Sequence, residues 1–183
     1  MNCESVIWSL INKVSITASG SGSRHTSSPD GKSSCESSYT FGGAASYERP
    51  TLSAMAACCG CNYAITIPGH FGDDMTFPWS MTTTSNGTST PTSGNGVPRF
   101  STTILFRSNP STGRCEFSIA CSGGAASGYE ACFYPDDFIV MLPWTPLTAI
   151  LGTHGIGSSR SGMNGTDTNS TFEDSIAFTV TIA

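Results

Sequence analysis

Apolar residues recur at every second position in several segments of the chain, and this alternation restricts the fold more than any other feature. Successive side chains of a strand point to opposite faces, so alternation predicts strands with one buried face. We therefore expect a β-rich fold. The pattern covers residues 63–67 and 100–106, and it is clearest at Cys115, Phe117, Ile119 and Cys121 and at Ile176, Phe178, Val180 and Ile182.

The amino-acid composition excludes several other classes of protein. The chain has 29 Ser and 23 Thr, together 52 of its 183 residues, and only 11% of its residues are charged. Coiled coils need many Ala, Glu, Lys and Leu, and a hydrophobic content of 38% is too high for full disorder. The net charge of -5 provides no basic field for a phosphate backbone, so we expect no nucleic-acid partner. No apolar run is long enough to cross a bilayer, so we predict no membrane span.

These patterns predict an all-β fold, an antiparallel two-sheet β-sandwich of the jelly-roll or Ig-like kind, with a small barrel as the alternative. Residues 1–183 are expected to form one domain. Three polar stretches are predicted to be long Ser/Thr/Gly-rich loops: residues 18–38, 80–98 and 152–170. Residues 138–142 are apolar at every position, which predicts a strand buried on both faces, and residues 147–151 predict a helical turn or a short strand.

Eight cysteines raise the question of disulfide bonds, with zinc or free buried thiols as alternatives. Cys115 and Cys121 lie about 20 Å apart in an extended strand and cannot bond to each other. Residues 122–128 are rich in glycine and predict a turn that brings Cys121 beside Cys132. We also expect at least one cysteine of the 58–61 cluster to bond to a distant partner. The disulfide candidates are Cys35, Cys58, Cys59, Cys61, Cys115, Cys121 and Cys132.

Motifs that would carry chemistry are weak in this sequence. His70, Asp73 and Asp74 favour a turn over a metal or acid-base site, and Asp136 and Asp137 favour another turn. No Gly-x-Ser-x-Gly elbow occurs, and His154 lies in a glycine-rich segment that predicts a surface loop. We therefore expect no enzymatic activity, catalytic residue, metal or cofactor.

Two aromatic residues and three glycosylation sequons complete the candidate sites. Trp79 and Trp144 each follow a proline, and core packing is favoured over a platform that binds sugar. The sequons are expected to be unmodified. They begin at Asn86, Asn164 and Asn169.

Taken together, the sequence predicts a structural, non-enzymatic protein on the exterior of a multi-copy assembly. A Lys-poor, hydroxyl-rich and acidic composition resembles that of phage or viral virion components such as decoration, capsid or tail proteins. We expect cytosolic synthesis without a signal peptide, and then a place on a virion or extracellular surface. An extracellular adhesin or carbohydrate-binding module is the alternative.

The expected partners are copies of the protein itself and other virion or surface-assembly proteins, with a glycan as a possible ligand. Apolar residues near both termini are the candidates for contacts between subunits, because an exposed apolar strand invites association. They are Val6, Trp8, Ile176, Phe178, Val180 and Ile182.

Overall fold

A computed structural model describes residues 7, 9–49, 52–54, 63–67, 77–127, 138–163 and 169–183. Within these ranges the chain forms eleven strands and one short 3-10 helix, and Ile7, Ser9 and Leu10 have α-helical backbone. The strands are β1 (Lys13–Ser27), β2 (Ser33–Glu48), β3 (Leu52–Ala54), β4 (Tyr63–Ile67), β5 (Phe77–Ser85), β6 (Thr88–Ser108), β7 (Cys115–Ser127), β8 (Phe138–Met141), β9 (Thr145–Pro146), β10 (Gly152–Met163) and β11 (Asn169–Ile182). The 3-10 helix, η1, spans Leu147–Ala149, so the helical turn predicted over residues 147–151 is confirmed.

The strands form two antiparallel sheets. Sheet A has the order β10-β11-β1-β2-β5-β6, and sheet B has the order β3-β4-β6-β7, with β8 and β9 along the other side of β7. Strand β6 belongs to both sheets, because residues 88–96 pair with β5 while residues 97–108 pair with β7. The register of β6 shifts between Val97 and Arg99, where the strand passes from one sheet to the other.

The two sheets pack face to face around one core. The rings of Phe117 in β7 and His154 in β10 lie 5.3 Å apart and join sheet B to sheet A. Burial of a large apolar side chain contributes about 1.5–3 kcal/mol. The fully buried large side chains are Ile7, Ile16, Ile104, Phe106, Phe117, Ile119, Ile150, Phe178 and Ile182. The predicted all-β sandwich is therefore confirmed, whereas the small barrel is wrong because the described strands do not close on themselves.

The three predicted long loops are instead mainly strands. Residues 18–38 form most of the β1–β2 hairpin, residues 80–98 form the β5–β6 hairpin, and residues 152–170 contain β10 and the start of β11. The β5–β6 hairpin turns at Asn86 and Gly87, whose φ angles of 49° and 80° fit a type I′ turn. The loop prediction failed because hydroxyl side chains replace charged ones on the outer faces of these strands.

Glycines within the strands explain how such polar segments can pack. A Cβ atom at Gly20 would collide with the ring of Phe41, and one at Gly22 would collide with Tyr39. Aromatic rings therefore lie over the glycine backbone of the neighbouring strand, which fills the space that a side chain would occupy. Residues that look like loop material in the sequence are thus part of a packed sheet.

Strand β8 departs from its prediction. Ile139 is 76% exposed and Met141 is 50% exposed, whereas Val140 between them is buried. Strand β8 pairs only with β7 among the described strands, so it is an edge strand with one exposed face. The expected burial on both faces is therefore wrong.

Candidate functional site

The most unusual feature of sheet A is a buried network of charged side chains on its inner face. The Asp174 carboxylate is fully buried and accepts hydrogen bonds from both terminal nitrogens of Arg24, the second at 2.7 Å. The Tyr39 hydroxyl donates to Asp174 Oδ1 at 2.6 Å, and Arg160 Nε donates to Oδ2 at 3.1 Å. Four strands, β1, β2, β10 and β11, therefore meet at a single carboxylate.

The electrostatics of this network favour a structural role. Burial lowers the pKa of Arg24, but the hydrogen bonds and charge of Asp174 outweigh that effect, so the pKa lies above its ordinary value. Burial and the neighbouring Asp174 raise the pKa of Tyr39 well above its usual range. The Arg24 guanidinium also lies 5.4 Å from the centre of the Phe172 ring. Both carboxylate oxygens are occupied by donors, so the network is suited to holding four strands in register.

Sequence reasoning did not single out this network. Arg24 lies on the same inward face of β1 as Val14, Ile16 and Ala18, and Asp174 lies on the same inward face of β11 as Ile176. The signal that would have found them is a charged residue at an inward position of a strand that extends into a polar segment.

The outer face of sheet A is lined by hydroxyl groups. One row crosses all six strands through Ser161, Glu173, Ser23, Ser38, Ser80 and Ser93, which are consecutive register partners. Hydroxyl pairs bridge neighbouring strands, as between Ser38 and Ser80 at 2.9 Å and between Thr153 and Thr181 at 3.0 Å. We call this surface the hydroxyl face.

Two neighbouring clefts of about 670 Å³ and 550 Å³ lie on the hydroxyl face and share Ser23, Ser38, Ser161 and Glu173. The first is also lined by His25 and Glu36, whose side chains approach to 3.3 Å. Hydroxyl donors and acceptors beside carboxylates are groups that can bind a polyhydroxylated ligand by hydrogen bonds.

Strand β10 forms one edge of sheet A. It runs for twelve residues, pairs only with β11 among the described strands, and shows no register shift. It contains no lysine and no proline, and its one arginine, Arg160, is bonded to Asp174. Among the described residues, β10 therefore lacks the lysines, prolines and bulges that often protect an edge strand from pairing with another chain.

The exposed large hydrophobic residues of the described ranges gather around this edge. Leu151, 51% exposed, immediately precedes β10, and Met163, 87% exposed, is its last residue. Ile139 and Met141 lie on β8, which is in contact with β10. We call β10 together with these four residues the open edge.

The terminal residues predicted to contact other subunits have a different role. Strand β11 pairs with β1 on one side and β10 on the other. Its inward residues are at most 3% exposed, because they pack in the core of their own molecule; they are Ile176, Phe178, Val180 and Ile182. That part of the contact prediction is wrong. Val6 and Trp8 lie outside the described residues.

The cysteine predictions need one correction. Cys121 is a free thiol, buried in the core, and Thr102 Oγ1 donates a hydrogen bond to its sulfur at 3.6 Å. The bond predicted between Cys121 and Cys132 is therefore wrong. The glycine-rich segment after Cys121 continues β7 to Ser127 and makes no turn there.

Cys35, in β2, and Cys115, the first residue of β7, are each disulfide-bonded, in contrast to Cys121. The pairing of the disulfide candidates stays a prediction. Cys58, Cys59, Cys61 and Cys132 lie outside the described residues.

The tryptophan, histidine and sequon candidates lie in different parts of the fold. Trp79 is buried in the core, whereas Trp144 is partly buried and stacks against the Arg107 guanidinium at 4.2 Å. His154 lies in β10, where its Nε2 atom is 2.8 Å from the Ile150 carbonyl oxygen, so the surface-loop prediction is wrong. Asn86 lies in a hairpin turn and Asn169 begins β11. The described residues do not include His70, Asp73, Asp74, Asp136, Asp137 and Asn164.

In the described part of the chain, no group of three or more His, Cys, Asp or Glu residues is arranged to hold a metal ion. Across the same residues, no helix is long and apolar enough to cross a membrane. Comparison with known proteins gives no matching protein family, no matching curated protein and no matching solved structure.

Proposed function

We propose that this protein is a structural, non-enzymatic subunit on the exterior of a multi-copy assembly, and that the assembly is a phage or viral virion. The open edge is the observation that carries this proposal. A twelve-residue strand without lysine or proline, with exposed hydrophobic residues at its two ends and on the neighbouring β8, is a surface suited to pairing with another chain.

The hydroxyl face supports an exterior position. Its Ser and Thr side chains bond to one another across the strands, as Ser21 does to Ser175 at 3.2 Å, and still offer hydrogen bonds to water. A face with few charges lets many copies pack closely without like-charge repulsion. The acidic, Lys-poor composition supports the virion in particular, and with it a location on a virion or extracellular surface.

A carbohydrate-binding module or adhesin is the second candidate, and the clefts of the hydroxyl face favour it. Their serines, Glu36 and Glu173 offer donors and acceptors to sugar hydroxyls. A glycan array tests this candidate directly. Binding that is lost in Glu173→Gln but kept in Glu116→Gln, a carboxylate of sheet B, would support it.

Sedimentation velocity of the purified chain, from low micromolar to near-millimolar concentration, tests the leading proposal. We expect species at multiples of 19.1 kDa that grow with concentration. A single 19.1 kDa monomer across the whole range would overturn it.

A further inference from the structure

We infer that the open edge binds the same edge of a second copy, so that two β10 strands pair antiparallel about a two-fold axis. This inference rests on the proposed function, because it names the partner and the contact through which copies join. Isologous two-fold contacts are the commonest way in which identical chains associate.

The hydrogen bonds at the end of β11 show which backbone groups of β10 are available. Lys13 and Ala183 exchange two hydrogen bonds, at 2.8 Å and 2.9 Å, so they form a hydrogen-bonded pair of the β1–β11 ladder. In an antiparallel strand, the N–H and C=O of one residue point to the same side, and the side alternates with each residue. Odd-numbered residues of β11 therefore bond to β1, and even-numbered residues bond to β10.

The same alternation extends to β10 through its register. Even-numbered residues of β11 pair with even-numbered residues of β10, as Ile176 does with Ser158 and Asp174 with Arg160. The odd-numbered residues of β10 consequently direct their N–H and C=O groups away from β11, toward the side of β10 on which no described strand is paired. They are Thr153, Gly155, Gly157, Ser159, Ser161 and Met163.

A second copy of β10 matches this row of backbone groups. The six outward residues carry no charge, so an identical strand meets no repulsion along the row. When the axis passes beside Gly157, Gly155 of one copy faces Ser159 of the other and Thr153 faces Ser161. In this register the two Arg160 side chains stay apart, because each lies opposite His154 of the partner strand.

The surrounding residues favour this arrangement as well. Antiparallel pairing brings the Leu151 end of one β10 beside the Met163 end of the other, which covers two exposed apolar side chains on each copy. Strand β8, which carries Ile139 and Met141, is in contact with β10 of its own copy. Because the axis is perpendicular to the sheet, the two hydroxyl faces join into one continuous surface.

Substitution at Ser159 tests the pairing in the full-length chain. Ser159→Pro removes an outward N–H and leaves the β10–β11 ladder intact, and Ser159→Ala is the matched control that keeps the N–H. We expect the proline variant to weaken association by about tenfold or more, because each dimer loses two hydrogen bonds. The alanine variant should associate like the parent chain.

A second variant guards against a folding defect in the first. Ser161→Lys keeps every backbone group and places a cation on the edge of each copy, so it should also weaken association while the melting temperature of the monomer stays unchanged. If the parent chain associates and both edge variants associate equally well, the edge pairing is wrong while the proposed function stands. If the parent chain is a monomer throughout, both fail.

Discussion

The buried network around Asp174 makes a sharp prediction about stability. The Asp174 side chain is 0% exposed, the Arg24 side chain is 2% exposed, and the carboxylate accepts hydrogen bonds from Arg24, Tyr39 and Arg160. Asp174→Asn keeps the shape of the side chain but leaves the Arg24 cation buried without a counter-charge. Removing one partner of a buried ion pair costs about 3–5 kcal/mol. That loss is a large fraction of the roughly 5–15 kcal/mol that stabilises a typical domain.

Urea unfolding monitored by circular dichroism measures this loss. Glu173→Gln is the matched control, because Glu173 is the neighbouring carboxylate on the exposed face, and its effect should stay within about 0.5 kcal/mol. Arg24→Met should cost less than Asp174→Asn, because Asp174 keeps Arg160 and the Tyr39 hydroxyl as partners. A loss below about 1 kcal/mol in Asp174→Asn, within the range of an exposed pair, would refute the view that this network stabilises the sheet.

Three further predictions concern the sheets and the core. Gly22→Ala should destabilise the fold by about 1–3 kcal/mol, because its Cβ would collide with Tyr39 and Asp174. Gly42→Ala is the control, because its Cβ meets no atom closer than 3.9 Å, and it should unfold like the parent chain. Equal urea midpoints for the two variants would contradict the packing of Gly22. Burial raises the pKa of Cys121 to about 11 from an ordinary value of 9.0, so the unfolded chain ionises this thiol first and the free energy of unfolding should decrease as the pH rises from 9 to 11. The free energy of unfolding of Cys121→Ala should not show this decrease between pH 9 and 11. Identical pH profiles for the variant and the parent chain would contradict the prediction. In β10, Ser158→Pro should destabilise the monomer because it removes an N–H that bonds to β11, whereas Ser159→Pro should leave the stability unchanged. Equal melting temperatures for the two variants would show that the assignment of even-numbered residues to the β11 side is wrong.

Apolar alternation predicted the fold class because it records which face of each strand is buried. The pattern at Ile176–Ile182 and at Cys115–Cys121 sufficed for two sheets with a common core. It did not reveal the length of β1, because the inward positions after Ala18 are Gly20, Gly22 and Arg24. Aromatic rings of β2 supply the apolar surface there, and only the register between the strands shows that they do so.

The candidate sites were less accessible to sequence reasoning. Arg24 and Asp174 are 150 residues apart, and their pairing follows from strand registers that no local pattern specifies. The alternation at the C-terminus correctly marked a buried strand, but it could not distinguish the core of the same molecule from a contact with another copy. The open edge depends on the strand order, so it became visible only once β10 was placed beside β11.

Hydrogen exchange of individual amides in β10, at concentrations where the chain is monomeric and where it is assembled, tests the central claim most directly. The amides of Ser158 and Arg160 should be protected at both concentrations because they bond to β11. Those of Gly155, Gly157, Ser159 and Ser161 should exchange rapidly in the monomer and become protected on assembly. Rapid exchange of these four amides in the assembled protein would contradict the account.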